Sequence, residues 1–111
     1  MPLRARILTP EASLLDEDVN SLVIPGSDGY MGILPKHAPL IAALAPGIVR
    51  IRRLGGEEAF FVVGRGAASV ERDVATILAE TVIPAVSEVE ASARLEEWRD
   101  ANPAGGTAPA D

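Results

Sequence analysis

With 111 residues, of which 48% are apolar, the chain can bury one core and carries too many hydrophobic side chains for a disordered protein. Its net charge is −6, most of it in residues 87–111, so the basic footprint of a nucleic-acid binder is missing. Cysteine is absent, which removes disulfides, thiolate catalysis and Cys-ligated zinc, and no apolar run reaches the roughly 20 residues that span a bilayer.

Leu3, Ala5 and Ile7 alternate with Arg4 and Arg6, the period-2 pattern of a half-buried strand, with no apolar centre of a signal peptide beside it. Thr9-Pro10-Glu11 interrupts the pattern. A second strand is predicted from Val19 to Ile24, stopped by Pro25-Gly26. The stretch from Gly26 to Leu40, GSDGYMGILPKHAPL, places glycine at every third position and then sets two prolines around the only histidine. It reads as a shaped surface loop folded back by Ile33, Leu34 and Leu40. Extended structure resumes from Leu40 to Ala45 and turns at Pro46-Gly47. Strands are predicted from Ile48 to Leu54 and from Ala59 to Val63, joined around Gly55-Gly56. Another pair, Ala67 to Val70 and Val74 to Glu80, meets across Glu71-Arg72-Asp73. Phe60 to Val63 is apolar on both faces and suits a central strand. Arg50, Arg52 and Arg53 read as gatekeeping charges on a strand edge, with contact to an acidic partner surface as the alternative. Turn signals about every 8–12 residues predict a mainly β fold, a β-sandwich or flattened barrel over residues 1–86.

Pro84 is expected to end the last strand, and beyond it the pattern changes. Ser87-Glu88-Val89-Glu90 is a capping box with Val86 and Ala91 at the staple positions. Ala91, Leu95 and Trp98 form one apolar stripe, and Glu90 can pair with Arg94. A single short C-terminal α-helix is predicted over residues 87–101, stopped by Asn102-Pro103, with a disordered tail over 102–111. A helix of this length is marginal alone and has to dock through Leu95 and Trp98.

Chemistry finds little support. A metal site needs several ligands, and His37 has neither a second histidine nor a cysteine to join it. Gly26, Gly29 and Gly32 precede Ile33-Leu34-Pro35 rather than a helix, so they read as turn glycines and not a phosphate cradle. No catalytic residue, metal or cofactor is predicted. Tyr30 and Met31, bulky residues on a glycine-rich loop, are candidate partner contacts. Two alternatives are a stand-alone ligand-binding β-sandwich and a small hydrolase built on His37.

The stretch GSDGYMGILPKHAPL resembles the signature loop of the epsilon subunit of F-type ATP synthases. Ala45-Pro46-Gly47-Ile48-Val49-Arg50-Ile51 is similar to that family's proline-glycine turn and strand. Phe61-Val62-Val63-Gly64-Arg65-Gly66 resembles its hydrophobic run ending in glycines, and Val74 to Glu80 its last sandwich strand. The resemblance covers residues 3–86. It implies a central-stalk rotor subunit, one copy in a hetero-oligomer, linking the gamma subunit to the c ring and coupling proton or sodium flow to ATP synthesis without catalysing a step itself. It implies a c-ring contact through Ser27, Asp28, Gly29, Tyr30, Met31 and His37, with Tyr30, Met31 and His37 together on one exposed end of the sandwich. Many members carry an acid where Tyr30 stands. Gamma contact is implied for Thr9, His37 and Leu40. The implied location is the cytoplasmic face of the bacterial inner membrane, peripheral through the complex, with no direct membrane insertion, no nucleic-acid partner and no cofactor. Most bacterial relatives continue into a two-helix hairpin whose second helix can block ATP hydrolysis. Here one helix is predicted. Ala93 takes the place of the arginine in the family's nucleotide-binding pattern, and Arg94 falls about 100° further round the helix. The resemblance therefore implies a short form that neither senses ATP nor imposes that inhibition.

Overall fold

The computed structural model describes residues 2–103. Within them the chain forms β1 (Leu3–Leu8), β2 (Ser13–Gly26), β3 (Gly29–Ile33), β4 (Leu40–Leu44), β5 (Gly47–Arg53), β6 (Glu58–Val63), β7 (Gly66–Glu71), β8 (Val74–Ala79), β9 (Val82–Ala85) and α1 (Glu88–Ala101). The strands pair antiparallel except β1 with β8, which run parallel.

The long strand β2 makes the fold. It pairs with β1 up to Val19, passes to β5 where the register shifts, and reaches β4 at Gly26. One strand thus belongs to two layers, β3-β2-β5-β6-β9 and β2-β1-β8-β7-β4. Between the layers Leu3, Ala5, Ile7, Val70 and Ile77 meet Val19, Leu22, Ile24, Ile51 and Val63. Removing a large aliphatic side chain of this kind from water contributes about 1.5–3 kcal/mol. The mainly β, two-layer sandwich follows from this packing.

β2 begins at Ser13, earlier than the sequence predicts. Ahead of Val19 it shows outward acids, and only Leu15 there is buried. The register explains why this segment is stable: Asp16 stands opposite Arg6 and Asp18 opposite Arg4. Arg4 Nε donates to Asp16 Oδ1 at 2.7 Å and Nη1 to Asp18 Oδ1 at 3.3 Å. Hydrogen bonding to Asp16, then to Asp18, raises the Arg4 pKa above its ordinary value. Opposite charges facing each other across a ladder stabilise a strand that hydrophobicity alone does not reveal.

The stretch Gly26 to Leu40 is not a single loop. Ser27-Asp28 forms a turn, Gly29 takes φ +130°, and Gly29–Ile33 pairs with Leu22–Gly26 as a hairpin. Only residues 34–39 are irregular. Ile33 is fully buried, whereas Leu34 is 62% exposed and does not fold the segment back. Pro84 does not end the sheet either. It lies inside β9, opposite Phe61, on an outer strand where its missing N–H is not needed. β6 lies between β5 and β9 and is buried on both faces, as its composition predicts. At the β7–β8 turn, Arg72 and Asp73 both have positive φ, +53° and +61°. The Asp73 carboxylate accepts the Lys36 N–H and its carbonyl the Arg4 N–H, which ties the 34–39 segment and β1 to this turn. Asn102 is the C-cap of α1, and residues 104–111 of the predicted tail lie outside the described residues.

Candidate functional site

The β2–β3 hairpin projects Ser27 and Asp28 into solvent. Its β2 side is held to β4 right up to the turn, where Ser27 N donates to Ala43 O and Ala45 N donates to Pro25 O, both at 2.9 Å. Tyr30 and Met31 are adjacent in sequence and therefore face opposite sides of β3. Met31 packs against the main core. Tyr30 is 59% exposed, yet its hydroxyl accepts the Ile48 N–H at 3.0 Å. His37 lies elsewhere. Its N–H donates to Leu34 O, and its Nδ1 is 2.7 Å from Ala38 O. β4 separates the two regions: Leu40 pairs with Val70 near His37, and Leu44 pairs with Gly66 and Gly26 near the hairpin. Five residues of strand place them about 13 Å apart along β4. Tyr30, Met31 and His37 do not share one end of the sandwich; period-2 alternation parts the first two, and the length of β4 parts both from His37.

Thr9, His37 and Leu40 are likewise not one cluster. Thr9 follows β1, and its Oγ1 accepts the N–H groups of Glu11 and Ala12. Leu8 registers with Leu78, and Leu78 with Ala67, so Thr9 sits towards the hairpin end. Leu40 is at the other end, half-buried and packed on the core. What lies between them is a bare sheet face. Ile41, Ser69 and Thr76 form one outward row, and Ala43, Ala67 and Leu78 the next. None of these six side chains is charged. Ile41 is 87% exposed and Leu78 48%. A shallow cleft of about 460 Å³, lined by Pro39, Leu40, Ile41, Ser69, Val70 and Glu71, runs along its margin. Sequence reasoning did not separate Ile41 from Leu40, because consecutive apolar residues carry no sign of which one faces in.

The opposite outer face is covered. Ser87 Oγ accepts the Glu90 N–H at 3.1 Å, and Glu90 Oε1 accepts the Val86 N–H at 2.7 Å, so the capping box reaches back one residue before the cap. Val86 is exposed and forms no staple. Ala91 and Leu95 pack on Phe60 and Val62, with Ile48, Ile83 and Ala85 around them. The Trp98 ring lies over Gly64, where a Cβ would meet Cζ2 at 3.1 Å and the Thr81 Cβ at 3.4 Å. Arg50, read from sequence as a gatekeeper, sits 5.7 Å over the Phe60 ring and pairs with Glu88 at the start of α1. Leu95→Ala should undock the helix locally: amide protection across α1 falls while that of β1, β2 and β8 stays unchanged in hydrogen-exchange measurements. Equal loss in the sheets would show that α1 and the sandwich unfold as one unit.

Among the described residues no three His, Asp or Glu side chains gather as a metal site, and no helix is long and apolar enough to cross a membrane. The fold defines a class: a two-layer β-sandwich with one outer face closed by its own helix and the other left bare. The profile of the beta-sandwich domain of the ATP synthase delta/epsilon chain matches residues 2–85, and the chain belongs to that family. The ATP synthase epsilon chain of a Nitratiruptor species is 36% identical over 97 residues, covering 86% of this chain and 75% of the relative. That of Chloroflexus aggregans is 42% identical over 99 residues, covering 89% and 69%. Among solved structures, a chain of the Euglena gracilis mitochondrial ATP synthase (OSCP/F1/c-ring) aligns with TM-score 0.73 at 25% identity, over 93% of this chain and 67% of that one. A chain of the Tetrahymena thermophila central stalk/c-ring structure shares the fold, with TM-score 0.64 at 17% identity over 75% and 66%.

Proposed function

We propose that this subunit is a rotor element of the ATP synthase central stalk, seated between the gamma subunit and the c ring, and that it passes torque as a stiff body. The observation that carries the reading is the inequality of the two outer faces. The sheet under α1 is closed, while the two rows from Ile41 to Thr76 and from Ala43 to Leu78 carry no charge and are left bare, a suitable seat for gamma. Thr9 and His37 then lie at the two ends of the gamma contact and Leu40 beneath it. The exposed Ser27–Asp28 turn, with Gly29 and Tyr30 behind it, is the part that meets the c ring. Met31 supports this contact from the core side, and His37 belongs to the gamma side alone. Torque transmission needs a body that does not deform, and an apolar, close-packed core between two layers supplies it. We place the complex on the cytoplasmic face of a bacterial inner membrane, with the subunit peripheral.

The test is to mix the purified chain with gamma and look for a stoichiometric complex by size-exclusion chromatography with light scattering. A monodisperse chain that ignores gamma would overturn the reading. Ala93 stands where the nucleotide-binding pattern has its arginine, and Arg94, one position further on, pairs with Glu90 at 3.6 Å. The chain is therefore expected not to take ATP at micromolar concentrations. Saturable binding of a fluorescent ATP analogue in that range would contradict this.

A further inference from the structure

We propose that Tyr30 is a positioning residue: its hydroxyl, resting against Gly47 and holding the Ile48 N–H, is the strut that sets the angle of the β2–β3 hairpin to the sandwich. The inference rests on the reading that this hairpin meets the c ring.

The need for a strut arises at Pro25. β2 and β5 pair with Val23 opposite Arg50, so continuing the ladder would bring Pro25 opposite Ile48. Pro25 has no N–H, and its carbonyl is already taken by the Ala45 N–H as β2 leaves β5 for β4. The Ile48 N–H is left directed at a gap in the ladder. A backbone donor in that position needs a partner. Tyr30 stands across from Pro25 on β3, and its ring spans the gap so that the hydroxyl accepts from Ile48 at 3.0 Å. A phenol provides the reach that an acid at the same place lacks.

Gly47 completes the joint. A Cβ there would come 2.5 Å from Pro25 Cβ and 2.8 Å from the Tyr30 hydroxyl, so the proline ring and the phenol close on a position that only a bare backbone leaves open. The hairpin is thus fixed at two places: at the turn end of β2 by the bonds of Pro25 and Ser27 to β4, and from its outer face by Tyr30 on β5. The first link stops the hairpin from sliding and the second from swinging. An exposed turn that is free to swing does not hold a fixed contact under load. The same joint borders a cleft of about 360 Å³ lined by Val23, Tyr30, Ile48, Arg50 and Glu88, which leaves the hairpin room to move if the phenol lets go.

Tyr30→Phe keeps the ring and removes the hydroxyl. The Ile48 amide should then exchange about fivefold faster, the factor that the net free energy of one neutral hydrogen bond supports, with amides of β1 and β8 unchanged. The chain has no cysteine, so Asp28→Cys carries a unique photo-crosslinker in the assembled complex. On Tyr30→Phe, adduct with the c subunit should fall severalfold while gamma binding stays the same. Gly47→Ala, which pushes on the joint from the other side, should give the same loss of adduct. Unchanged exchange at Ile48 in Tyr30→Phe overturns the strut, and so does faster exchange with an undiminished adduct. If the Asp28→Cys chain with Tyr30 intact gives no c-subunit adduct, the c-ring reading of the hairpin fails and the positioning role falls with it. The exchange rate at Ile48, read without the c ring, tells that failure apart from failure of the hydrogen bond itself.

Discussion

Ile41→Glu is expected to weaken binding to gamma by about 30-fold or more, the size of an interface hot spot of about 2 kcal/mol. The residue is 87% exposed in a row of uncharged side chains, so the carboxylate costs the free subunit little and the complex a great deal. Its melting temperature should stay close to that of the parent, since exposed positions away from special geometry shift stability by roughly 0.5 kcal/mol at most. Leu78→Glu, one row away on β8, should act in the same direction. Leu40→Glu is the wrong probe, because Leu40 packs on the main core and a charge there confuses unfolding with lost binding. Isothermal titration against purified gamma checks the series. Parent-like affinity in both Ile41→Glu and Leu78→Glu would remove this face from the interface.

Gly66→Ala should cost more stability than any surface change. Gly66 pairs with Ala79, and a Cβ on it would lie 2.0 Å from the Leu78 carbonyl oxygen and 2.8 Å from the Ala79 Cα. Those atoms are backbone of the neighbouring strand and cannot swing aside as a side chain would. Overpacking of this kind costs about 3 kcal/mol, and more where backbone must move. At about 4 °C per kcal/mol for a domain of this size, the melting temperature should drop by roughly 12 °C. Gly32→Ala is the control: a Cβ there meets nothing within 4 Å, and the change should pass almost unnoticed. Thermal unfolding followed by circular dichroism separates the two, and equal melting temperatures would show that β7 and β8 are not so closely opposed.

Much of the architecture is written in local patterns. Alternation marks β1, the run from Phe60 to Val63 marks a strand buried on both faces, and Ser87-x-x-Glu90 marks the start of α1. These are short-range rules, and each residue obeys them within its own segment. The glycine-proline stretch and the ordered matches after it likewise point to the family without any coordinates. Other features depend on partners distant in the chain. Asp16 and Asp18 form a strand because Arg6 and Arg4 face them across the ladder. Pro84 is tolerated because β9 is an outer strand. Leu40 and Ile41 look alike in sequence, and the pairing of β4 with β7 turns one inward and the other to solvent. The hairpin and His37 lie within one sequence motif, and the length of β4 sets them at opposite ends. Side-chain type and spacing are properties of the chain, so the sequence by itself determined β1, β6, the start of α1 and the family. Register and layer order are properties of long-range pairing, so only the tertiary structure decided which face is bare, where Tyr30 reaches and which glycines have no room for a side chain.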